Sequence, residues 1–141
     1  MKKLLFTILT MLPFLCIGQT QEAIKFDNQA GELYNKLASF EGCGTEIPSE
    51  YSLKCKNIYD ASFSNYSKAI ELSPNYDQAY YWRALLQHNF GRDYYGSISD
   101  LTRAIELNPE DFQSYNNIAG TYLSLGEIIE AEINRISFFL S

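Results

Sequence analysis

A seven-residue motif occurs twice in the chain. It reads Ala69-Ile70-Glu71-Leu72-Ser73-Pro74-Asn75 and again Ala104-Ile105-Glu106-Leu107-Asn108-Pro109-Glu110, a step of 35 residues. That step lies in the range of helical solenoid repeats. In each copy Ala, Ile and Leu supply a buried stripe, and a proline, which cannot donate the next backbone hydrogen bond, stops the helix. The Ser or Asn before the proline favours a turn, so a new helix starts in the reverse direction. A chain that reverses at the same point of successive units is confined to stacked antiparallel helical hairpins.

The rest of the chain fits that plan. Residues 22–40 carry a first helical pattern with Ile24, Leu33, Tyr34, Leu37 and Phe40 as apolar positions, and Gly31 permits close helix approach. A loop runs through Pro48. From Ser49 to Leu72 neither Gly nor Pro intervenes, and Tyr51, Cys55, Tyr59, Phe63, Tyr66 and Ile70 recur at spacings of three and four, which predicts one long amphipathic helix. Asp77–Asn89 reads as the next helix. A turn follows at 90–93, with Gly91 suited to a left-handed helix end, and Tyr94–Leu107 returns. The third unit repeats the scheme, with a helix over 112–125, a turn at Gly126 and a last helix over 128–140.

The first eighteen residues have a different character. Met1-Lys2-Lys3 is followed by an apolar run to Ile17, broken only by Thr7, Thr10 and Pro13, and then by Gly18 and the polar Gln19-Thr20-Gln21-Glu22. This is the pattern of a secretory signal peptide, too short for a comfortable membrane span. It predicts export to a periplasmic or extracellular compartment, with no stable membrane insertion after cleavage. An uncleaved anchor is the alternative. Lipidation at Cys16 is disfavoured by the bulky Leu15 before it. Without the leader two cysteines are left, Cys43 and Cys55. In an oxidising compartment they are candidates for a disulfide stapling the loop to the following helix, worth roughly 2–3 kcal/mol; two separate thiols are the alternative.

Tyr115, Ala119, Tyr122, Gly126 and Ala131 in the third unit, Tyr80, Ala84, Gly91, Tyr94, Ala104 and Pro109 in the second, and Tyr59, Tyr66, Ala69 and Pro74 in the first resemble the tetratricopeptide repeat (TPR) pattern. That pattern places small residues where paired helices cross and closes on a proline. The resemblance is clearest from about residue 58 onward and looser from residue 22. It implies an all-α superhelix of about three antiparallel hairpins, divided as leader 1–18, a degenerate repeat with a cysteine loop 19–75, a repeat 76–109, and a repeat 110–141 ending in an apolar helix. Ser97 replaces the expected alanine of the second unit, and one extra residue in that unit's turn accounts for a period of 35 instead of 34. Arg135 and Phe138 depart from the pattern in the last helix.

The residue inventory points away from catalysis. The chain holds a single histidine, His88, no Gly-rich phosphate loop, and no partners for a zinc site or a thiol nucleophile. No cofactor or metal is expected. A net charge of −6, made more negative by loss of Lys2 and Lys3 with the leader, disfavours nucleic acid.

The family resemblance implies instead a protein-binding groove on the first helix of each hairpin. It maps to Gln78, Tyr81, Trp82, Leu85, His88 and Asn89 in the second unit, and to Gln113, Asn116, Asn117, Gly120 and Leu123 in the third. This aromatic and amide-rich face suits a peptide backbone. Tyr81 and Trp82 could equally pack against neighbouring helices. Trp82 and Gln113 stand where a carboxylate-clamping member of the family has Asn and Lys, so that ligand is disfavoured. Arg83 is expected to pair with Asp100. In the final helix Ile129, Ile133, Ile136 and Leu140 form a second apolar stripe where earlier units carry mostly polar residues. Terminal repeats normally face water with polar side chains. The stripe predicts an end-on contact, as a homodimer or with another protein, unless the helix bends back over it. The expected function is an interaction scaffold or adaptor; the alternative is a structural subunit assembled through the last helix.

Overall fold

The computed structural model describes residues 19–40, 43 and 49–140, with side chains described for all of these except 49–52 and 130–140. The expected leader, residues 1–18, lies outside the described residues. The helices are α1 (Gln21–Ala38), α2 (Ser49–Leu72), α3 (Asp77–Leu86), α4 (Tyr94–Leu107) and α5 (Phe112–Leu140), and α3 runs on into a π-helical turn, Gln87–Gly91. Among the described residues all regular structure is helical, as the repeat motif predicts.

Local chemistry sets the ends. The Thr20 hydroxyl accepts the Ala23 N–H at 3.0 Å and opens α1. Asp93 does the same for α4 through the Gly96 N–H, at 2.9 Å. The two motif copies close alike: Ser73 N–H donates to the Ala69 carbonyl at 2.9 Å and Asn108 N–H to the Ala104 carbonyl at 2.8 Å. Pro74 and Pro109 then follow, and neither can extend the ladder.

Contacts between α1 and α2 pair rising with falling residue numbers, so the hairpin is antiparallel. Thr20 N–H donates to Ser73 Oγ (3.2 Å), while Ser62 Oγ donates to the Ala30 carbonyl (2.9 Å). Near the far end Leu37, Cys43, Cys55 and Ile58 share one buried cluster with Tyr66 and Leu86. Cys43 and Cys55 are joined in a disulfide, with Cα atoms 5.8 Å apart, so the loop after α1 is covalently tied to α2. A second cluster, Ala23, Ala69, Tyr76 and Ala79, joins the other end of this hairpin to the start of α3.

Arg83 fastens three helices together. Its guanidinium donates to both carboxylate oxygens of the buried Asp100 on α4 at 2.7 Å, as its sequence position suggested, and to Ser67 Oγ on α2 at 3.0 Å. This planar fork meeting a carboxylate is a geometry that lysine cannot reproduce. The buried Gln87 amide turns its nitrogen toward Asp100 at 2.9 Å and completes the network.

Three local expectations change. The extra residue of the second unit is absorbed as the π turn, one residue wider than an α turn. The left-handed residue there is Arg92 (φ 51°), not Gly91. Gly91 is needed for another reason: a Cβ there would fall 3.0 Å from Tyr59 Cζ and closer still to its hydroxyl oxygen, so the glycine lets the α2 tyrosine ring pass. Gly31 is not required for helix approach, since a Cβ would meet its nearest neighbour, Tyr66 Oη, at an ordinary 3.9 Å.

The largest difference lies at Gly126. The turn expected there is not formed, and α5 continues unbroken from Phe112 to Leu140. A glycine lowers helix propensity by about 1 kcal/mol relative to alanine but does not by itself end a helix. Here no proline or capping side chain stands beside it to do so.

Candidate partner-binding groove

Helices α1, α3 and α5 lie side by side, and their contacts run in ascending order on both partners, which makes them parallel. Tyr34 on α1 accepts a hydrogen bond from Asn89 Nδ2 at 2.9 Å and sets its ring edge-on to Trp82 (6.0 Å) and Phe90 (5.5 Å). Tyr81 Oη accepts from Asn117 Nδ2 on α5 at 3.2 Å, and His88 Nδ1 lies 3.0 Å from Thr121 Oγ1.

Two cavities open on this face, one on each side of Trp82. The first, about 480 Å³, is lined by Asp27, Asn28, Gly31, Glu32, Tyr34 and Asn35 of α1, with Tyr66 and Trp82. The second, about 260 Å³, is lined by Asp77, Gln78, Tyr81, Trp82, Asn108, Asp111 and Gln113. Trp82 is 38% exposed and stacks edge-on against Tyr81 at 5.2 Å.

The residues mapped from the repeat pattern divide into three groups. Gln78, Tyr81, Trp82 and Gln113 line the second cavity, and Trp82 borders both. Asn117, Asn89 and His88 instead tie neighbouring helices together through the bonds above, while Leu85 is half-buried. Asn116 and Leu123 are exposed on α5 and line neither cavity, and Gly120 faces open space. Because the Thr121 hydroxyl already donates to the Asn117 carbonyl at 2.8 Å, it accepts from His88, which fixes the imidazole proton on Nδ1. Burial holds the His88 pKa below its ordinary value and so favours the neutral ring.

The α1 lining is what the repeat pattern misses. Asp27 is the most instructive residue. Its Oδ2 accepts the Tyr76 hydroxyl at 2.9 Å, whereas Oδ1 is buried with no hydrogen-bond partner among the described residues. Burial pushes the Asp27 carboxyl up, partly offset by the Tyr76 bond. Tyr76 and Tyr66 are themselves held well above the ordinary phenol range, by burial first and then by the Asp27 charge. The periodic apolar positions of α1 gave no signal for this polar face, since Asp27, Asn28 and Glu32 fall between them.

Of the expected end-on stripe, Ile129 is 48% exposed, while the Ile133, Ile136 and Leu140 side chains lie outside the described residues. Tyr115, Tyr122 and Leu123 are also exposed, because the continuous α5 brings back no returning helix to cover them. Among the described residues no helix is long and apolar enough to cross a membrane.

Comparison with known families agrees with this geometry. A family model described as TPR repeat matches residues 56–91, and one described as tetratricopeptide repeat matches residues 101–133. Each match spans a proline turn, the first joining α2 to α3 at Pro74 and the second joining α4 to α5 at Pro109. No curated protein matches the chain. TPR repeats are generally non-enzymatic protein-interaction modules. With the duplicated motif, the antiparallel α1–α2 pair and the parallel α1, α3 and α5, these matches show that the chain is a tetratricopeptide repeat protein.

Proposed function

We propose that the chain is a scaffold or adaptor, without chemistry of its own, that holds a segment of a partner protein along the face formed by α1, α3 and α5. The observation that carries this reading is Trp82, an indole left 38% exposed between two cavities on one face. Exposed aromatic anchors beside pockets are where protein interfaces concentrate their binding energy. Amide groups of Gln78, Gln113, Asn28 and Asn35 around it suit the backbone of an extended peptide. Random peptides selected on the purified protein test this directly. Bound peptides are expected to change Trp82 fluorescence and to lose about tenfold or more in affinity on Trp82→Ala; selected peptides indifferent to that substitution overturn the groove.

The compartment belongs to the same proposal. The apolar run after Lys2-Lys3 and the Cys43–Cys55 disulfide both suit an exported protein. N-terminal sequencing of the protein recovered from a secreting host should begin at Gln19; an intact Met1 would count against it.

One observation favours a second reading, assembly through α5. Phe112, Tyr115, Ala119, Tyr122, Gly126, Ile129, Ile133, Ile136 and Leu140 recur at alternating steps of three and four along this continuous helix. That is the spacing of a coiled-coil seam, and Phe112, Tyr115, Tyr122 and Ile129 on it are exposed. Solution mass across a concentration series decides the matter: a dimer that Ile133→Glu converts to a monomer supports the seam, and a parent that stays monomeric at high concentration removes self-assembly.

A further inference from the structure

We propose that the cavity between α1 and Trp82 receives a cationic side chain of the partner, with a guanidinium as its best occupant. This rests on the groove reading above and names the chemistry of one subsite within it. Two carboxylates, Asp27 and Glu32, line the cavity and no basic side chain does. At its base two oxygens are buried and unpaired among the described residues, Asp27 Oδ1 and Tyr66 Oη. Tyr66 is only 1% exposed, yet it lines the cavity. Gly31 stands over the Tyr66 hydroxyl, to which a Cβ at that position would lie 3.9 Å away.

The ligand class follows from these groups. A buried unpaired acceptor is costly, and an ionised one more so. An acidic ligand would meet Asp27 and Glu32 as like charges, and an apolar one would leave both oxygens unpaired. A guanidinium carries five N–H donors and no acceptor, so one group can reach the Asp27 oxygen and the Tyr66 oxygen together. Tyr34 and Trp82, edge-on to each other at 6.0 Å, add aromatic faces that attract a cation. The carboxylates of the second cavity are already engaged, Asp77 by Asn108 Nδ2 and Asp111 by Ser114 and the Gln113 N–H, so the unsatisfied acceptor lies in the first.

Acetyl-arginine amide titrated into the purified full chain tests the subsite, read by the indole N–H resonance and fluorescence of Trp82, the chain's single tryptophan. Saturable shifts are expected, with acetyl-citrulline amide, the neutral analogue, binding about tenfold more weakly and with the arginine response reduced by added salt. Asp27→Asn and the exposed Glu32→Gln should each weaken arginine several-fold. Gly31→Ala should raise Tm while weakening arginine, because the methyl favours the helix but narrows the approach to the Tyr66 hydroxyl. Equal binding of arginine and citrulline overturns the proposal, as does arginine binding that Glu32→Gln and Asp27→Asn leave unchanged. If Asp27→Asn does not fold, Glu32→Gln decides alone. Peptides that bind at Trp82 without a basic residue preserve the groove and overturn only its cationic subsite.

Discussion

Ser62 and Ser97 occupy equivalent positions one repeat apart, and both are fully buried. Ser62 donates to the Ala30 carbonyl at 2.9 Å, whereas Ser97 Oγ has no partner among the described residues. Ser97 is also where this chain departs from the alanine of the repeat pattern. Replacing an unpaired buried hydroxyl by a methyl hydrogen removes a desolvation cost, while replacing a paired one removes a bond. Ser97→Ala should therefore stabilise the fold by roughly 0.5–1 kcal/mol and Ser62→Ala destabilise it by about 1 kcal/mol, measured by urea denaturation.

Asp27 carries a second prediction at this scale. Burial raises its folded pKa above the ordinary 3.8, so as pH rises the unfolded chain gives up the proton first. The folded state then binds more protons, and stability falls through that window and stays lower above it. Asp27→Asn, which keeps an acceptor for Tyr76, should raise Tm at neutral pH, and the gain should shrink as pH drops below 3.8. A gain that persists in acid would show that the carboxylate charge is not its cause.

At the level of elements, punctuation in the sequence decided what could be read. The helix over Ser49–Leu72 and the one over Tyr94–Leu107 were bounded correctly, because Pro74 and Pro109 remove backbone donors and leave no alternative. Gly126 was misread because glycine permits a turn without imposing one. Gly126→Ala separates the two structures: at an open helical position, where a Cβ would meet nothing within 4 Å, it should stabilise α5 by about 0.5–1 kcal/mol and raise helicity by circular dichroism. Loss of helicity would instead indicate a turn at that residue. The lining of the second cavity was legible for a similar reason. Repeat spacing carries Gln78, Tyr81, Trp82 and Gln113 to one face, but α1 lies outside the matched repeats. Its lining of the first cavity, with the Tyr66 hydroxyl beneath Gly31, emerges only when α1 and α2 are packed together.

At the scale of the whole molecule, stacking holds successive hairpins together, and the Arg83 network is the main polar joint. Ser67, Arg83 and Asp100 belong to three different helices. Arg83→Ala would leave the buried Asp100 charge without its partner, and breaking such a pair costs roughly 3 kcal/mol. Thermal unfolding should show that loss, and Arg83→Lys should recover only part of it because an ammonium cannot make the paired bonds. An unchanged Tm for Arg83→Ala would refute the joint.

The Cys43–Cys55 bond has a consequence for how the array opens. It fastens one end of the α1–α2 hairpin covalently, and the Thr20–Ser73 and Tyr76–Asp27 bonds hold the other. α5 rests mainly on α4, with its outer face uncovered. Opening of a linear array is therefore polar, with deuterium entering α5 amides earliest and those of α2 last. Reduction of the disulfide should flatten this gradient from the α1–α2 side, making oxidation state the setting that determines which end of the protein breathes.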